Sequence, residues 1–431
     1  MAHSSREPVV LSAYGAITPL GSTLEEIATA LYEGCSGIRS IEKFDTTCFL
    51  TKWAGVPEAG NAAIRWPRPV EDQMYRPGEI FYAENATANL LTRIDPLSIY
   101  PAERLGCVLG VDEPAYDSQR LIPFLKENGS KIGKDWKSFF DEAINYYRLS
   151  EIIDIDVTAV LREIHQKIPF QGYTRCHLGL CSASLQALGM ARSAILRGSI
   201  DAAIVGGVSG KVTQSNLARL ESLSAVCTDP ELEAGARSRP FDARRSGFVP
   251  AEGAVLFLME KESEARKRGH VPLVRLLGYG SSQSAEHIIA PHTQELETTL
   301  CMQRALHDAG VSPSEISNIN AHGTSTKLND LHESRAIARL FDKALPQVTA
   351  TKSLHGHMIA AAAAMEVLGI AASFENDFLP AIANLDTVDP EIKVPLVRET
   401  APGRVGKVLK NSLGMGGLAA TLILENPRLE Q

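Results

Sequence analysis

The chain has 431 residues, 44% of them hydrophobic and 22% charged, with a formal net charge of −8. That length fits two or three domains or one large duplicated unit, with ample apolar material for a core. Neither the charge nor any basic run points to nucleic acid, although a local basic patch for an acidic partner stays open. The seven cysteines, at 35, 48, 107, 176, 181, 227 and 301, include no C-x-x-C pair. A chain of this size needs no disulfide staples, so reduced thiols and a cytoplasmic setting are expected. The opening "MAHSSREPVVLSAYG" lacks the charged region, apolar core and cleavage site of a leader. No eighteen-residue uninterrupted apolar run occurs, and no membrane-crossing helix is expected.

In chain order, "PVVLSAYGAITPLG" reads as a buried strand broken by Gly15, Pro19 and Gly21. "STLEEIATALYEG" follows with Thr23 and Glu26 at capping-box spacing, Leu24, Ile27 and Leu31 at helical intervals, and Gly34 as the stop. "RLGCVLG" is a short strand. Residues 113–170 are rich in Lys, Asp, Tyr and Phe, and within them "KDWKSFFDEAINYYRL" and "DVTAVLREIHQKI" are amphipathic and helical. "LGLCSASLQALGMA" turns from strand into a helix that runs to about Arg197. "DAAIVGGVSG" is a strand ending in glycines, and "GAVLFLMEKESEARKRG" a strand followed by a charged helix. "VPLVRLLGYGSS" faintly echoes residues 8–22. The alternation predicts an α/β class, with pseudo-duplicated halves at 1–268 and 269–431.

Three segments carry residues suited to chemistry. Cys181 starts a helix, where the positive end of the dipole and free N–H groups favour thiolate and can receive an oxyanion. An inert buried cysteine is the commoner outcome for an arbitrary position. His322 stands between a short strand and a Gly-Thr-Ser-Thr turn in "NINAHGTSTKLND". His357 opens a helix with five alanines in "TKSLHGHMIAAAAAMEVLG", flanked by Lys352 and Glu366, which need each other if buried. They are either a structural ion pair or a support that orients a histidine; His355 reads as incidental. "NSLGMGGLAATLILE" is a glycine-rich turn entering an apolar strand. One cysteine with two histidines suits acyl-thioester chemistry, the thiolate taking the acyl group and two imidazole N–H donors stabilising an enolate. A cysteine protease needs only one histidine, and zinc ligands here are scattered singly along the chain.

Together these segments resemble the two-histidine beta-ketoacyl-acyl-carrier-protein synthases of the thiolase-like superfamily. The match is ordered over nearly the whole chain: "GAITPLGSTLEE" with "GCSGIRSIEKFD", "CSASLQALGMARSAILRGSIDAAIVGG", "RPFDARRSGFVPAEGAVLFLME", "NAHGTSTKLND", "TKSLHGHMIAAAAAMEVLG" and "NSLGMGG". The resemblance implies a five-layered α-β-α-β-α fold of two similar halves, commonly dimeric. It implies Cys181 as acyl acceptor, and His322 and His357 as the pair that binds the malonyl thioester and promotes decarboxylation. Lys352 and Glu366 would support them, Thr324 and Thr326 would hold the phosphopantetheine arm, and the amides of Cys181 and Met415 would form the oxyanion hole. The implied partners are an acyl carrier protein, which brings the phosphopantetheine, and a second ketosynthase-like chain, identical or not. No metal or diffusible cofactor, nucleic acid or membrane is implied.

Four departures bear on the substrate. Leu180 replaces a small Ala before the nucleophile, Met415 a gating aromatic, and Ser246 a frequent Asp; residues 113–170 look longer than the family's equivalent. They favour polyketide, polyene or specialised fatty-acid assembly over housekeeping synthesis. A chain-length-factor type of partner subunit is the alternative, though such partners typically lack the nucleophile. A degradative thiolase would carry a second cysteine in the C-terminal glycine turn, and "NSLGMGG" has none. Arg65, Arg68 and Arg76 are candidates for a basic carrier-docking patch, or ordinary solvated arginines.

Overall fold

Apolar runs such as "VVLSAYGAI" and "AAIVGGVS" form strands buried along their whole length, as in a sheet covered by helices on both faces. The computed structural model describes residues 7–63, 77–113, 118–147, 156–342 and 344–429. Ten of its strands join in one hydrogen-bonded sheet: β1 (Val9–Ile17), β2 (Leu105–Val111), β3 (Thr174–His177), β4 (Ala202–Ser209), β5 (Gly253–Lys261), β6 (Val274–Gln283), β7 (Asn318–Asn320), β8 (Gln347–Thr349), β9 (Lys407–Gly414) and β10 (Leu418–Glu425). Their order across the sheet is β8-β7-β9-β10-β6-β1-β5-β4-β2-β3. The seam is short, Val9–Leu11 running antiparallel to Val274–Leu276. Outward from it, each set of five repeats one topology: first strand, fifth, fourth, second, third, through two antiparallel and then two parallel pairings.

The helices that matter below are α1 (Leu24–Glu33), α2 (Gly78–Leu91), α3 (Ser118–Asn128), α4 (Trp136–Tyr146), α5 (Ala159–Lys167), α6 (Ala183–Leu196), α7 (Gln214–Ser222), α8 (Leu296–Ala309), α9 (Lys327–Phe341) and α10 (Ala362–Asn376). Helix α6 touches strands of both sets and packs on α10, while α2 with α5 covers one outer face and α8 with α9 the other. Three apolar clusters fill the spaces between these layers. This is the expected five-layered thiolase-like arrangement of two similar halves. Helix α10 is nearly all buried: small residues and large apolar ones (Met365, Val367, Leu368, Ile370, Phe374) face its neighbours, with Glu366 the one buried carboxylate among them. The stretch Ile359–Asn376 is long and apolar enough to cross a membrane, but it is mostly buried as this core helix. All seven cysteines are free.

Helix α1 carries the full capping box at Thr23 and Glu26, and Gly34 ends it at φ 74. Gly15 does not break β1; it lies inside the strand, because a Cβ there would stand 2.0 Å from the Ala86 carbonyl oxygen of α2. Strand propensity is overridden by the need for close helix–strand approach. In 113–170, α4 begins at Trp136 with Asp135 as its cap, and α5 covers the second predicted segment. Arg148 and Leu149, at the end of the first, lie outside the described residues, as do Arg65, Arg68 and Arg76. Helix α3 was not anticipated; it contains Pro123, and the ring of Phe124 packs against Phe139, Tyr146 and Tyr147 at 5.1–5.7 Å.

Gly110, near the end of β2, positions the start of α6. A Cβ there would lie 2.3 Å from the Ser184 nitrogen and 2.4 Å from the Ala183 carbonyl carbon, both backbone atoms. Gly110→Ala is therefore expected to cost about 1–3 kcal/mol, the usual penalty of an overpacked core. It should lower the melting temperature and displace the residues just before α6; unchanged melting would contradict the packing described.

Candidate active site

After β3 the chain turns through Gly179 and Leu180, passes Cys181 in a single 3-10 turn, and enters α6. Leu180 sits at φ 49, a left-handed conformation uncommon for a residue with a side chain. The Ser412 hydroxyl of β9 donates to the Cys181 carbonyl at 2.8 Å, tying this turn to the second half. The backbone amides of Cys181 itself and of Met415 favour the thiolate form of that sulfur.

His322 follows β7 with only Ala321 between them. Two buried carboxylates of α9 shape its loop: Glu333 accepts the His322 and Gly323 amides at 2.8 and 3.0 Å, and Asp330 accepts the Thr324 amide at 3.0 Å. Burial pushes the Asp330 carboxyl up to about 6, against the Phe241 amide and Arg245. The Thr324 and Thr326 hydroxyls lie 3.0 Å apart, and Thr326 also caps α9. His357 does not open a helix. It lies in the link after Gly356, and α10 begins only at Ala362, beyond a further 3-10 turn. Its amide donates to the Val249 carbonyl at 2.7 Å.

Lys352 and Glu366 do meet, with Nζ 2.7 Å from Oε1. The same ammonium donates to the His322 carbonyl at 2.7 Å and to its ring Nδ1 at 3.3 Å. Since an ammonium is only a donor, Nδ1 must accept, and the neutral ring then carries its proton on Nε2. A third member was not read from the sequence: Lys410 of β9, whose Nζ lies 2.8 Å from the other Glu366 oxygen. All three side chains are buried. Burial alone would raise Glu366, but the two ammonium groups outweigh it and hold the carboxyl below its ordinary range. Burial lowers Lys410 to about 8, with Glu366 resisting.

The Cys181 sulfur and one ring nitrogen each of His322 and His357 all lie within 4.8 Å of one another. The two imidazoles meet edge to face at 5.3 Å between centroids, and Phe248 packs on the other side of His357 at 5.1 Å. Among the described residues, neither ring nitrogen of His357 has a hydrogen-bond partner. Burial, and then Lys352, hold both histidines well below their ordinary value, so both are neutral at pH 7. His355 is buried as well, its Nε2 3.3 Å from the Thr351 hydroxyl.

The thiol departs from expectation. Burial pushes Cys181 up to about 12, although Lys352 and the two amides pull the other way. A helix start is worth less here than the desolvation of a thiolate. The resting group is a thiol flanked by neutral imidazoles. Alkylation of Cys181 by iodoacetamide, read by peptide mass, is accordingly expected to accelerate about tenfold per pH unit from 7 to 10; a plateau below pH 9 would contradict it.

Folding thus brings together ligand-type residues that are scattered in sequence. A metal would nevertheless have to be ligated by His322 Nε2, which carries the ring proton, with Lys352 and Lys410 close behind, whereas metal-bound imidazoles normally have an anionic or carbonyl partner. The residues present do not fit one. The three side chains open into a cavity of about 710 Å³, which Thr324, Thr326, Met415 and Ser246 also line.

Comparison with known proteins agrees with this geometry. Residues 163–265 match the family "Beta-ketoacyl synthase, N-terminal domain" and residues 273–386 match "Beta-ketoacyl synthase, C-terminal domain". The chain is 29% identical over 427 residues to "3-oxoacyl-[acyl-carrier-protein] synthase 2" of Coxiella burnetii, covering 96% of this chain and 98% of that protein. It is 27% identical over 425 residues to the protein of the same name from Staphylococcus aureus, covering 98% and 99%. Among solved structures, "The ishigamide ketosynthase/chain length factor" superposes with a TM-score of 0.82 at 27% identity, covering 98% of this chain and 100% of that one.

Proposed function

Because the chain belongs to the beta-ketoacyl synthase family, we propose that it condenses an acyl thioester with a malonyl thioester by decarboxylative Claisen chemistry, in fatty-acid or polyketide assembly. The observation that carries this reading is the convergence of Cys181, His322 and His357 within 4.8 Å at the base of one cavity.

In the first half-reaction the Cys181 sulfur attacks the acyl carbonyl. Its proton passes to His357, whose ring nitrogens have no partner of their own among the described residues, and then to the departing carrier thiolate. The amides of Cys181 and Met415 receive the oxyanion. In the second, malonyl thioester binds with its carbonyl oxygen against His322 Nε2–H and the N–H of His357. Loss of carbon dioxide leaves an enolate that these neutral donors stabilise. Its carbon attacks the acyl-Cys181 carbonyl, the thiolate leaves and takes up one proton from solvent, and a 3-oxoacyl thioester departs. Lys352 is a positioning residue: it fixes the tautomer of His322, with Glu366, itself paired to Lys410, holding the ammonium in place. Thr324 and Thr326 hold the phosphopantetheine arm of an acyl carrier protein.

The same reading divides the chain into a thiol-bearing half, 1–268, and a histidine-bearing half, 269–431, and supplies a second ketosynthase-like chain, identical or not, as dimer partner. The repeated strand order supports the first point, and the paired chains named for the ishigamide protein support the second. The decisive assay supplies acyl- and malonyl-carrier thioesters and follows carbon dioxide and 3-oxoacyl product. A folded chain that yields neither, alone or with a ketosynthase-like partner, would overturn the reading.

A further inference from the structure

The cavity beside Cys181 is apolar along Leu220, Phe248, Ile359 and Leu413, but not on every side. Asp112, the first residue after β2, lines it too and is buried. Its Oδ2 accepts from the Ser209 hydroxyl at 2.5 Å, and the Ala360 amide favours the ionised form of the same carboxyl. Its charge reaches the nucleophile, since Asp112 is among the groups that push the Cys181 thiol up. Lys211, two residues beyond β4, lines the cavity as well and donates to the Glu113 carbonyl.

A carboxylate offers about four acceptor positions, and the Ser209 hydroxyl fills one, so this cavity-lining group keeps acceptor capacity. Burial raises this carboxyl only to about 6, which keeps it an acceptor at pH 7.5. A fully reduced alkyl chain laid against Asp112 and Lys211 would strip their water and return no hydrogen bond. A cationic substituent would meet Lys211, and a ketone would engage only the lysine. A hydroxyl can donate to Asp112 and accept from Lys211.

Resting on the condensing-enzyme reading above, we propose that Asp112 and Lys211 make the acyl site selective for chains bearing a hydroxyl group over the fully reduced alkyl chain. Sites built to pair a substrate hydroxyl reject the analogue lacking it, because their own polar groups are then left unpaired.

The test loads Cys181 from octanoyl-, 3-hydroxyoctanoyl- and 5-hydroxyoctanoyl-pantetheine and reads the adduct by intact mass over time. Wild type should take one of the hydroxylated chains at least about tenfold faster than octanoyl. Asp112→Ala should bring that ratio close to one, chiefly by speeding octanoyl, with melting temperature as the fold control. If that variant does not fold, Lys211→Ala should lower the same ratio. Equal or faster octanoyl loading in wild type, or a preference that survives the substitution in a folded variant, would overturn the proposal and leave the ketosynthase reading standing. Loading of none of the three would also overturn the proposal, and the carrier-thioester assay above, with its carbon dioxide readout, then decides the reading by itself.

Discussion

Cys181→Ala is expected to carry no acyl adduct and to lose condensation by about 10⁴-fold or more, the scale seen when a nucleophile is removed, while still decarboxylating malonyl thioester. The substitution deletes one sulfur and leaves the Met415 amide, His322 and His357 in place. Acyl transfer needs the sulfur. Enolate formation needs only the two neutral donors, which Lys352 and burial hold in their donor state. His322→Ala should show the reverse: an adduct that accumulates on Cys181 without release of carbon dioxide. Intact mass reports the first half-reaction and carbon dioxide release the second, so each variant is read in both. An adduct persisting on Cys181→Ala would move the nucleophile elsewhere, and the exposed Cys35 and Cys48 would be examined first.

Glu366→Ala should be the most damaging change away from the reacting atoms. It leaves two ammonium groups, Lys352 and Lys410, buried with the anion between them gone. Breaking a buried pair by removing one partner typically costs about 3–5 kcal/mol, because a charge is stranded out of water. At roughly 2–4 °C per kcal/mol in a chain of this order of size, the melting temperature should fall by about 10 °C. The attribution has its own control. Lys410→Met added to Glu366→Ala removes one stranded charge and should recover part of the loss, whereas two independent defects would add. A single variant that melts within about 1 °C of wild type would show the carboxylate to be dispensable.

Much of this site is legible in the sequence because its reacting groups sit in short, self-contained segments. Cys181 and His322 each lie beside a strand or helix end that local pattern locates, His357 sits in a link a few residues before the helix that the pattern has it open, and the Lys352–Glu366 pair follows from the cost of burying either alone. What escaped depends on packing between distant segments. Lys410 lies inside the strand sequence "KVLKNSLG", where a lysine looks like an edge residue; only the arrival of Glu366 from a core helix makes it tolerable. Glu333 and Asp330 look like the polar face of α9, yet they point inward to bind loop amides. The balance at Cys181 escapes the sequence for the same reason. A helix start is local and can be read, while desolvation is set by everything folded around it. Gly15 and helix α3 show the fold-level counterpart, contacts with other elements deciding against the residue types that usually punctuate structure.

The repeated strand order has a last consequence, for how a backbone with internal symmetry comes to host one-sided chemistry. Cys181 follows Leu180 at φ 49 in a 3-10 turn that opens α6, after the third strand of its set. Ala360 follows Ile359 at φ 39 in a 3-10 turn that opens α10, after the third strand of the other. The two corners are counterparts, down to a bulky residue held left-handed in each. Beyond the second strand of each set, likewise, the chain reaches Asp112 in one and His322 in the other. At one corner an amide favours a thiolate; at the other it favours a carboxylate. The molecule therefore holds two frames of the same make, turned toward one chamber, and only the side chains mounted on them differ.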